Sequence, residues 1–341
     1  MNILCIDIGK GTQDILYYNT NLKNNVENSI KLILPSPTTI ISNKIKNMNC
    51  NLKICGNIMG GGPVNKAIST IQKKGYSVEI SKNCAKTIRD SLDEIKKRGI
   101  IIKENIDNPN IIFGDLNFNM LKNIFNEIGE EFKPDFVCVA CQDHGYIPNQ
   151  SDRITRFKYF KNLLNKTKNP LEYIFTEKSN DLNNFSRFKS NIEQIKKNNY
   201  NGFVMDSKIA SVCGILNYAN ENNINEFVGL DIGNGHTLGV SIKDGKVIGL
   251  FEHHTRLLSS EKLYKIVNKL INGTLTNEEI FNDHGHGATV LGKINPKKIY
   301  ISGPNRALFK EYGEYAYPYG DVMITGCVGL LDCYNYNFNK Q

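Results

Sequence analysis

The chain has 341 residues, 40% of them apolar and 22% charged, which is ordinary globular material and enough to bury a sizeable core. Its formal charge of +8 comes from 42 basic and 34 acidic residues, and the lysines are scattered through helical stretches such as Asp93–Arg98 rather than gathered in a block. That distribution excludes a nucleic-acid surface, and the lack of a long apolar run excludes a membrane span, so a soluble cytoplasmic protein is expected.

Residues 3–8, 13–18 and 29–34 read as three strands joined by short turns, closed by Pro35-Ser-Pro37. Residues 38–47 are ambiguous, and 52–55 reads as a short strand. Met59-Gly-Gly-Gly-Pro63 leads into a helix over 64–74. A strand is expected at 76–80, helices at 84–98 and 115–128, and a buried strand at 135–141. Helices at 153–166 and 185–198 precede a strand over 202–206 and a helix over 207–221. A second three-strand opening follows at 226–232, 237–242 and 246–252. Helices at 259–271 and 277–282, a strand at 298–302 and a helix over 321–333 complete the chain. Strands alternating with helices give the α/β class. The repeated opening divides the chain into a lobe over 1–222, with insertions, and a lobe over 223–341.

Each opening carries the same turn. Asp7-Ile-Gly9-Lys-Gly11-Thr12 has its counterpart in Asp231-Ile-Gly233-Asn-Gly235-His-Thr237. Glycines leave backbone N–H groups uncovered, and such amides bind phosphate oxygens. Thr12 and Thr237 add hydroxyls. Asp7 and Asp231 end their strands, where a carboxylate can hold Mg²⁺ or its water shell. One such hairpin is a plain turn; two facing each other across a cleft make a clamp for a polyphosphate.

The nine cysteines are scattered. Cys138-Val-Ala-Cys141 lies in an apolar run and lacks the second pair that a structural zinc site needs, so the two read as buried core residues. Gln142-Asp143-His144-Gly145 follows a strand; Asp143 is the candidate general base and His144 its helper, with a strand-ending turn as the bland alternative. His253 and His254 are adjacent and point to opposite faces. His254, His284 and His286 are candidate substrate contacts; a transition-metal site on His284 and His286 would need a further ligand, which Glu252, Asp283 or His254 could supply. Gly60, Gly61 and Gly62 precede a helix and offer either a second anion site or a close backbone crossing. Asp206 is a candidate metal ligand or the cap of the helix that follows.

The doubled turn resembles the phosphate loops of the superfamily of actin, the heat-shock chaperone ATPases and the sugar and acetate kinases. That resemblance implies two ribonuclease-H-like lobes with ATP and Mg²⁺ held between them. It aligns Ser302-Gly303-Pro304-Asn305 with the family's adenosine motif, with Pro304 where a second glycine usually stands. A nearer resemblance runs along most of the chain. MGGGP (59–63), QDHG (142–145), GNGHT (233–237), FEHHT (251–255), DHGHGA (283–288), SGPNR (302–306) and YGDVMITG (319–326) are similar to a largely archaeal family that bears the label of a pyruvate formate-lyase activating enzyme. Radical chemistry of that kind needs three thiolates in a CxxxCxxC run, and the chain has none. The expected function is therefore an ATPase or small-molecule kinase, its substrate a small molecule or a protein. The alternative is a nucleotide-gated protein that binds or activates a partner.

Overall fold

The computed structural model describes residues 1–23, 26–148 and 150–339. β1 (Asn2–Ile8), β2 (Thr12–Asn19) and β3 (Ile30–Pro35) form an antiparallel meander. β1 is apolar on both faces because both are covered: Ile3 and Cys5 enter one core, and Leu4, Ile6 and Ile8 another. The ambiguous segment 38–47 is a helix, α1 (Pro37–Lys46), started by the Ser36 hydroxyl, which accepts from the Thr39 amide, and by Pro37 at its first position.

An inserted unit follows. β4 (Leu52–Gly56), α2 (Gly62–Lys73), β5 (Val78–Ser81), α3 (Lys82–Ala85), α4 (Leu92–Lys97), β6 (Ile101–Lys103) and β7 (Ile111–Phe113) build a separate sheet of order β6-β5-β4-β7, all parallel. It has its own core around Ile54, Ile68 and Ile80. The expected helix over 84–98 is split into α3 and α4. Thr87 between them accepts from the Met59 amide at 3.1 Å, so the chain leaves the helix to hold the glycine loop. β6 and β7 escaped the sequence reading because three residues carry too little pattern.

The chain then returns to the first sheet through α5 (Phe118–Glu127), β8 (Phe136–Cys141), α6 (Asp152–Lys166), β9 (Ile174–Phe175), α7 (Ser186–Lys197), β10 (Asn201–Asp206) and α8 (Ser207–Glu221). β8 lies parallel to β1, and β10 parallel to β8, giving the order β3-β2-β1-β8-β10-β9. Cys138 and Cys141 are both fully buried and enter cores on opposite faces of β8.

β11 (Glu226–Ile232), β12 (His236–Lys243) and β13 (Lys246–His254) repeat the meander. α9 (Ser260–Ile271), α10 (Asn277–Asn282), β14 (Gly287–Val290), β15 (Lys298–Ser302), β16 (Glu314–Tyr315) and α11 (Thr325–Phe338) follow. β15 lies parallel to β11 as β8 does to β1, in the order β14-β13-β12-β11-β15-β16. The fold is α/β, with two ribonuclease-H-like lobes of matching strand order. α11 starts later than the sequence suggested. Tyr319 and Gly320 take left-handed backbone, with φ of 51° and 76°, and Asp321 caps only a short 3-10 turn.

α8 and α11 fill the space between the sheets. α8 packs mainly on β11 and also reaches β15, β10, β1 and β8, whereas α11 packs on β1, β2 and β8. The two helices touch backbone to backbone. A Cβ on Gly214 would stand 1.9 Å from the Thr325 carbonyl oxygen, and one on Gly329 would stand 1.9 Å from that of Ala210. Only glycine permits that approach.

Candidate functional site

A cavity of about 530 Å³ lies between the two sheets and the inserted unit. Both glycine turns line it, and both close the same way. The Gly9 amide donates to the Thr12 carbonyl at 2.9 Å, and the Gly233 amide to that of His236 at 3.0 Å. Gly11 and Gly235 lie on the same wall, with Gly303 and Pro304 beside the second turn. Gly303 has φ of 90°, and a Cβ there would stand 2.5 Å from Asp231 Oδ1, so the adenosine-motif position is pressed against the second turn.

The matched closures correct one assignment. His236, not Thr237, occupies the place of Thr12. One residue further on, Thr237 faces the other side of the strand. It is fully buried there and shares a 3.0 Å hydrogen bond with the Thr255 hydroxyl. Thr237 therefore offers nothing to the cavity.

The two aspartates also differ. Asp7 Oδ1 is buried without a hydrogen-bond partner, and so is Oδ1 of Asp14, its partner across β1 and β2. Burial, then Asp14, raises the Asp7 pKa well above the carboxylate range, against a hydrogen bond from Ser207. Burial likewise pushes Asp14 up to about 7. A Cβ on Gly326, at the start of α11, would stand 2.0 Å from Asp7 Oδ2, so this glycine makes room for the carboxylate. Asp231, by contrast, is paired. Lys208 Nζ donates to its Oδ2 at 2.8 Å. The expected pair of free metal-binding carboxylates is thus corrected: the second turn presents an ammonium–carboxylate pair, and among the described residues the carboxylates with a buried, unpartnered oxygen are Asp7 and Asp14.

Asp206 is not a metal ligand here. Its Oδ2 accepts from Arg156 Nη1 at 2.8 Å, and its Oδ1 accepts from Arg156 Nη2 at 3.3 Å and from the Lys208 amide at 2.9 Å. It caps α8, as the alternative reading held. Asp143 is likewise not a free base. Its Oδ1 accepts from the Gly145 amide at 2.9 Å, and its Oδ2 from the Arg187 and Phe188 amides at 2.8 and 3.3 Å. α7 has no side-chain cap of its own, so Asp143 supplies one from a distant loop. Burial raises the Asp143 pKa, against the pull of those three amides.

Gly60, Gly61 and Gly62 line the same cavity. Gly61 is required by a close crossing, since a Cβ there would stand 2.1 Å from the Thr87 carbonyl oxygen. Arg187 holds the loop in place. It clasps Asp115 through Nε and Nη2 at 2.7 and 2.9 Å, and Asp115 accepts from the Gly60 amide at 3.3 Å.

The histidines divide sharply. His284 is exposed, with φ of 64°, and does not line the cavity, so the structure does not bring it to the candidate site. His253 turns from the cleft and meets Asp283 at 3.0 Å. His144, His236, His254 and His286 instead pack ring to ring, with centroids 4.7–5.6 Å apart in the contacting pairs. His144 and His236 line the cavity. Burial lowers their pKa values to about 3 and about 2, and that of His254 to about 4, so these rings are neutral. Behind them Glu252 Oε2 meets His286 Nδ1 at 2.7 Å, and Arg156 clasps Glu252 from Nε and Nη2 at 2.5 and 2.8 Å. Burial would raise the Glu252 pKa, but Arg156 and His286 outweigh it and hold the carboxylate ionised.

Sequence reasoning missed Asp14, Arg156, Lys208 and His236, and offered Glu252 only as a metal ligand. Two carried a signal. Lys208 sits in the first turn of a helix, where a cation opposes the helix dipole. Arg156 lies four residues before Phe160, on the apolar stripe of α6.

A family model described as "Putative pyruvate format-lyase activating enzyme (DUF1786)" matches residues 59–308. No curated protein sequence matches the chain. Among solved structures, the ethanolamine utilization protein EutJ from Carboxydothermus hydrogenoformans is 11% identical, over 97% of this chain and 89% of that one, with a TM-score of 0.36. A chain of the PilM-PilN type IV pilus biogenesis complex is 11% identical over 98% of both, with a TM-score of 0.43. A Ppx/GppA family member from Aquifex aeolicus is 11% identical over 89% of this chain and 66% of that one, with a TM-score of 0.31.

Proposed function

The chain belongs to the family described as "Putative pyruvate format-lyase activating enzyme (DUF1786)", and from that premise we propose that it binds Mg·ATP in the cleft between its lobes and hydrolyses it or transfers its terminal phosphoryl group. The observation that carries this reading is the pair of identically closed glycine turns facing one cavity, with Asp7 Oδ1 buried and unpartnered beside the first. An orphaned buried carboxylate oxygen next to uncovered amides suits a cation that arrives with a polyphosphate. Asp7 and Asp14 would hold the ion, directly or through water. Bound there, Mg²⁺ would neutralise charge on the phosphate oxygens.

The chain's own groups do the rest. The amides of residues 10, 11, 234 and 235, which the turn closures leave unused, would donate to phosphate oxygens. Lys208, at the start of α8 and paired with Asp231 of the second turn, would supply positive charge. Gly303 and Pro304 edge the side on which the nucleoside would lie. The absence of a CxxxCxxC run in the sequence argues against reading the family description as radical chemistry.

One observation favours a second reading, in which nucleotide sets lobe closure for a partner without turnover. Both oxygens of Asp143 are committed to backbone amides, so the residue expected to be the base has no lone carboxylate oxygen to offer. Steady-state ADP release separates the two readings.

Asp7→Asn tests the shared premise. It removes the ionisable group at nearly constant volume, and burial already disfavours the ionised form, so the unliganded protein should melt no lower than wild type. Mg·ATP should raise the melting temperature of wild type and not of the variant. Equal stabilisation of both by Mg·ATP refutes the assignment of Asp7, and a failure to stabilise wild type refutes nucleotide binding.

A further inference from the structure

Three histidines from three separate elements converge beside the cleft. His144 follows β8 in the first lobe, His236 opens β12 in the second turn, and His286 precedes β14. One ring nitrogen from each lies within 4.8 Å of the others, and among the described residues no other such group of possible metal ligands occurs. We propose that His144, His236 and His286 form a mononuclear site for a divalent transition-metal ion of the zinc type, with its fourth position open to the cleft. The proposal does not rest on nucleotide binding.

Imidazole–zinc bonds of about 2.0–2.1 Å set the nitrogens of a tetrahedral site about 3.4 Å apart. Small ring rotations close the gap from the observed spacing. His286 is already oriented as a ligand. Its Nδ1 is engaged by Glu252, which leaves Nε2 as the donor, and Glu252 is itself fixed by the buried guanidinium of Arg156. A carboxylate behind a ligating histidine is the usual outer-shell arrangement. His236 Nδ1 lies 3.0 Å from the side-chain amide of Gln142. A half-turn of that amide makes its oxygen the acceptor for Nδ1–H and frees Nε2. For His144, no hydrogen-bond partner occurs among the described residues.

The ligand chemistry selects the ion. Three imidazoles suit Zn²⁺ or a neighbouring first-row ion and not Mg²⁺, which prefers oxygen. Three protein ligands leave a position for water or substrate, as catalytic sites do and structural sites do not. That position faces the cavity, because His144 and His236 line it while His286 lies behind them. His254, stacked on His236 and His286, flanks the same opening. Since His144 comes from one lobe and the other two ligands from the second, the ion would also fasten the lobes together.

The test is titration of chelator-stripped protein with Zn²⁺ in the absence of nucleotide, followed by Co²⁺ substitution of wild type. Wild type should take up about one equivalent, and its Co²⁺ form should show the visible absorption of a four-coordinate ion. His144→Asn and His236→Asn should each weaken Zn²⁺ binding by roughly 100-fold or more, and Glu252→Gln by about 10–100-fold with the stoichiometry kept. His284→Ala, in the same segment but outside the cluster, should bind as wild type does. Failure of stripped wild type to bind Zn²⁺ overturns the proposal. So does a His144→Asn/His236→Asn double variant that is natively folded by circular dichroism and binds Zn²⁺ undiminished.

Discussion

Replacing Arg156 by methionine removes a guanidinium that is fully buried and touches two carboxylates at once. Its bonds to Glu252 are 2.5 and 2.8 Å long, those to Asp206 are 2.8 and 3.3 Å, and a fifth reaches the Asp143 carbonyl at 3.1 Å. Methionine fills much of the volume but pairs with none of these oxygens. Asp206 is 1% exposed and Glu252 0%, so water does not replace the lost partner. Breaking one buried pair costs about 3–5 kcal/mol, because a charge is left uncompensated. Two carboxylates share the loss here, so the upper end of that range is expected. Urea unfolding followed by circular dichroism measures it. The triple variant Arg156→Met/Asp206→Asn/Glu252→Gln, which removes the stranded charges as well, should recover much of the deficit. If Arg156→Met unfolds within about 1 kcal/mol of wild type, or the triple variant is the weaker of the two, the stranded-charge argument is wrong.

Gly326→Ala would put a Cβ 2.0 Å from Asp7 Oδ2 and drive that carboxylate aside by about 1 Å, a displacement that can cost roughly 10²-fold in a positioned site. Mg·ATP stabilisation should fall accordingly while urea unfolding stays cooperative; an unchanged nucleotide response refutes the placement of Asp7. Asp332, in α11, is raised from 3.8 to about 7, chiefly by burial and against a hydrogen bond from Asn217. Its contribution to stability is therefore full below its ordinary pKa and is lost as pH rises through about 7. Asp332→Asn should match wild type at acidic pH and exceed it by about 4 kcal/mol above neutrality, at 1.36 kcal/mol per pKa unit between 3.8 and about 7; parallel pH–stability curves would refute the assignment.

The two sheets were legible because their strands are long, apolar and repeated, so that β11–β13 announce β1–β3. The inserted sheet was less so, since β6 and β7 are three residues each. The doubled glycine turns were legible for the same reason as the sheets, yet the repeat misled at one place. Thr12 and Thr237 look equivalent in sequence, but one intervening residue turns Thr237 inward and puts His236 in the wall. Asp143 and Asp206 stand at strand ends, where a reactive carboxylate would also stand; only the coordinates reveal that amides and Arg156 consume their oxygens. The histidine cluster was legible only in part: His254 and His286 were grouped from the sequence and His144 was singled out apart from them, but His236 was not. Its members come from positions 144, 236, 254 and 286, and nothing in linear spacing joins the first to the rest.

The crossing of α8 and α11 has a consequence for the order of synthesis. The first lobe's sheet gains its last strand at residue 206, yet the helix that covers one of its faces is α11, residues 325–338. On the ribosome, at about 5–20 residues per second, that face waits many seconds for its lid. The apolar side chains of β1 and β8 that α11 covers stay bare meanwhile, and the second lobe must be nearly complete before the first can close. Truncation within α11 would therefore injure the lobe most distant from the cut in sequence.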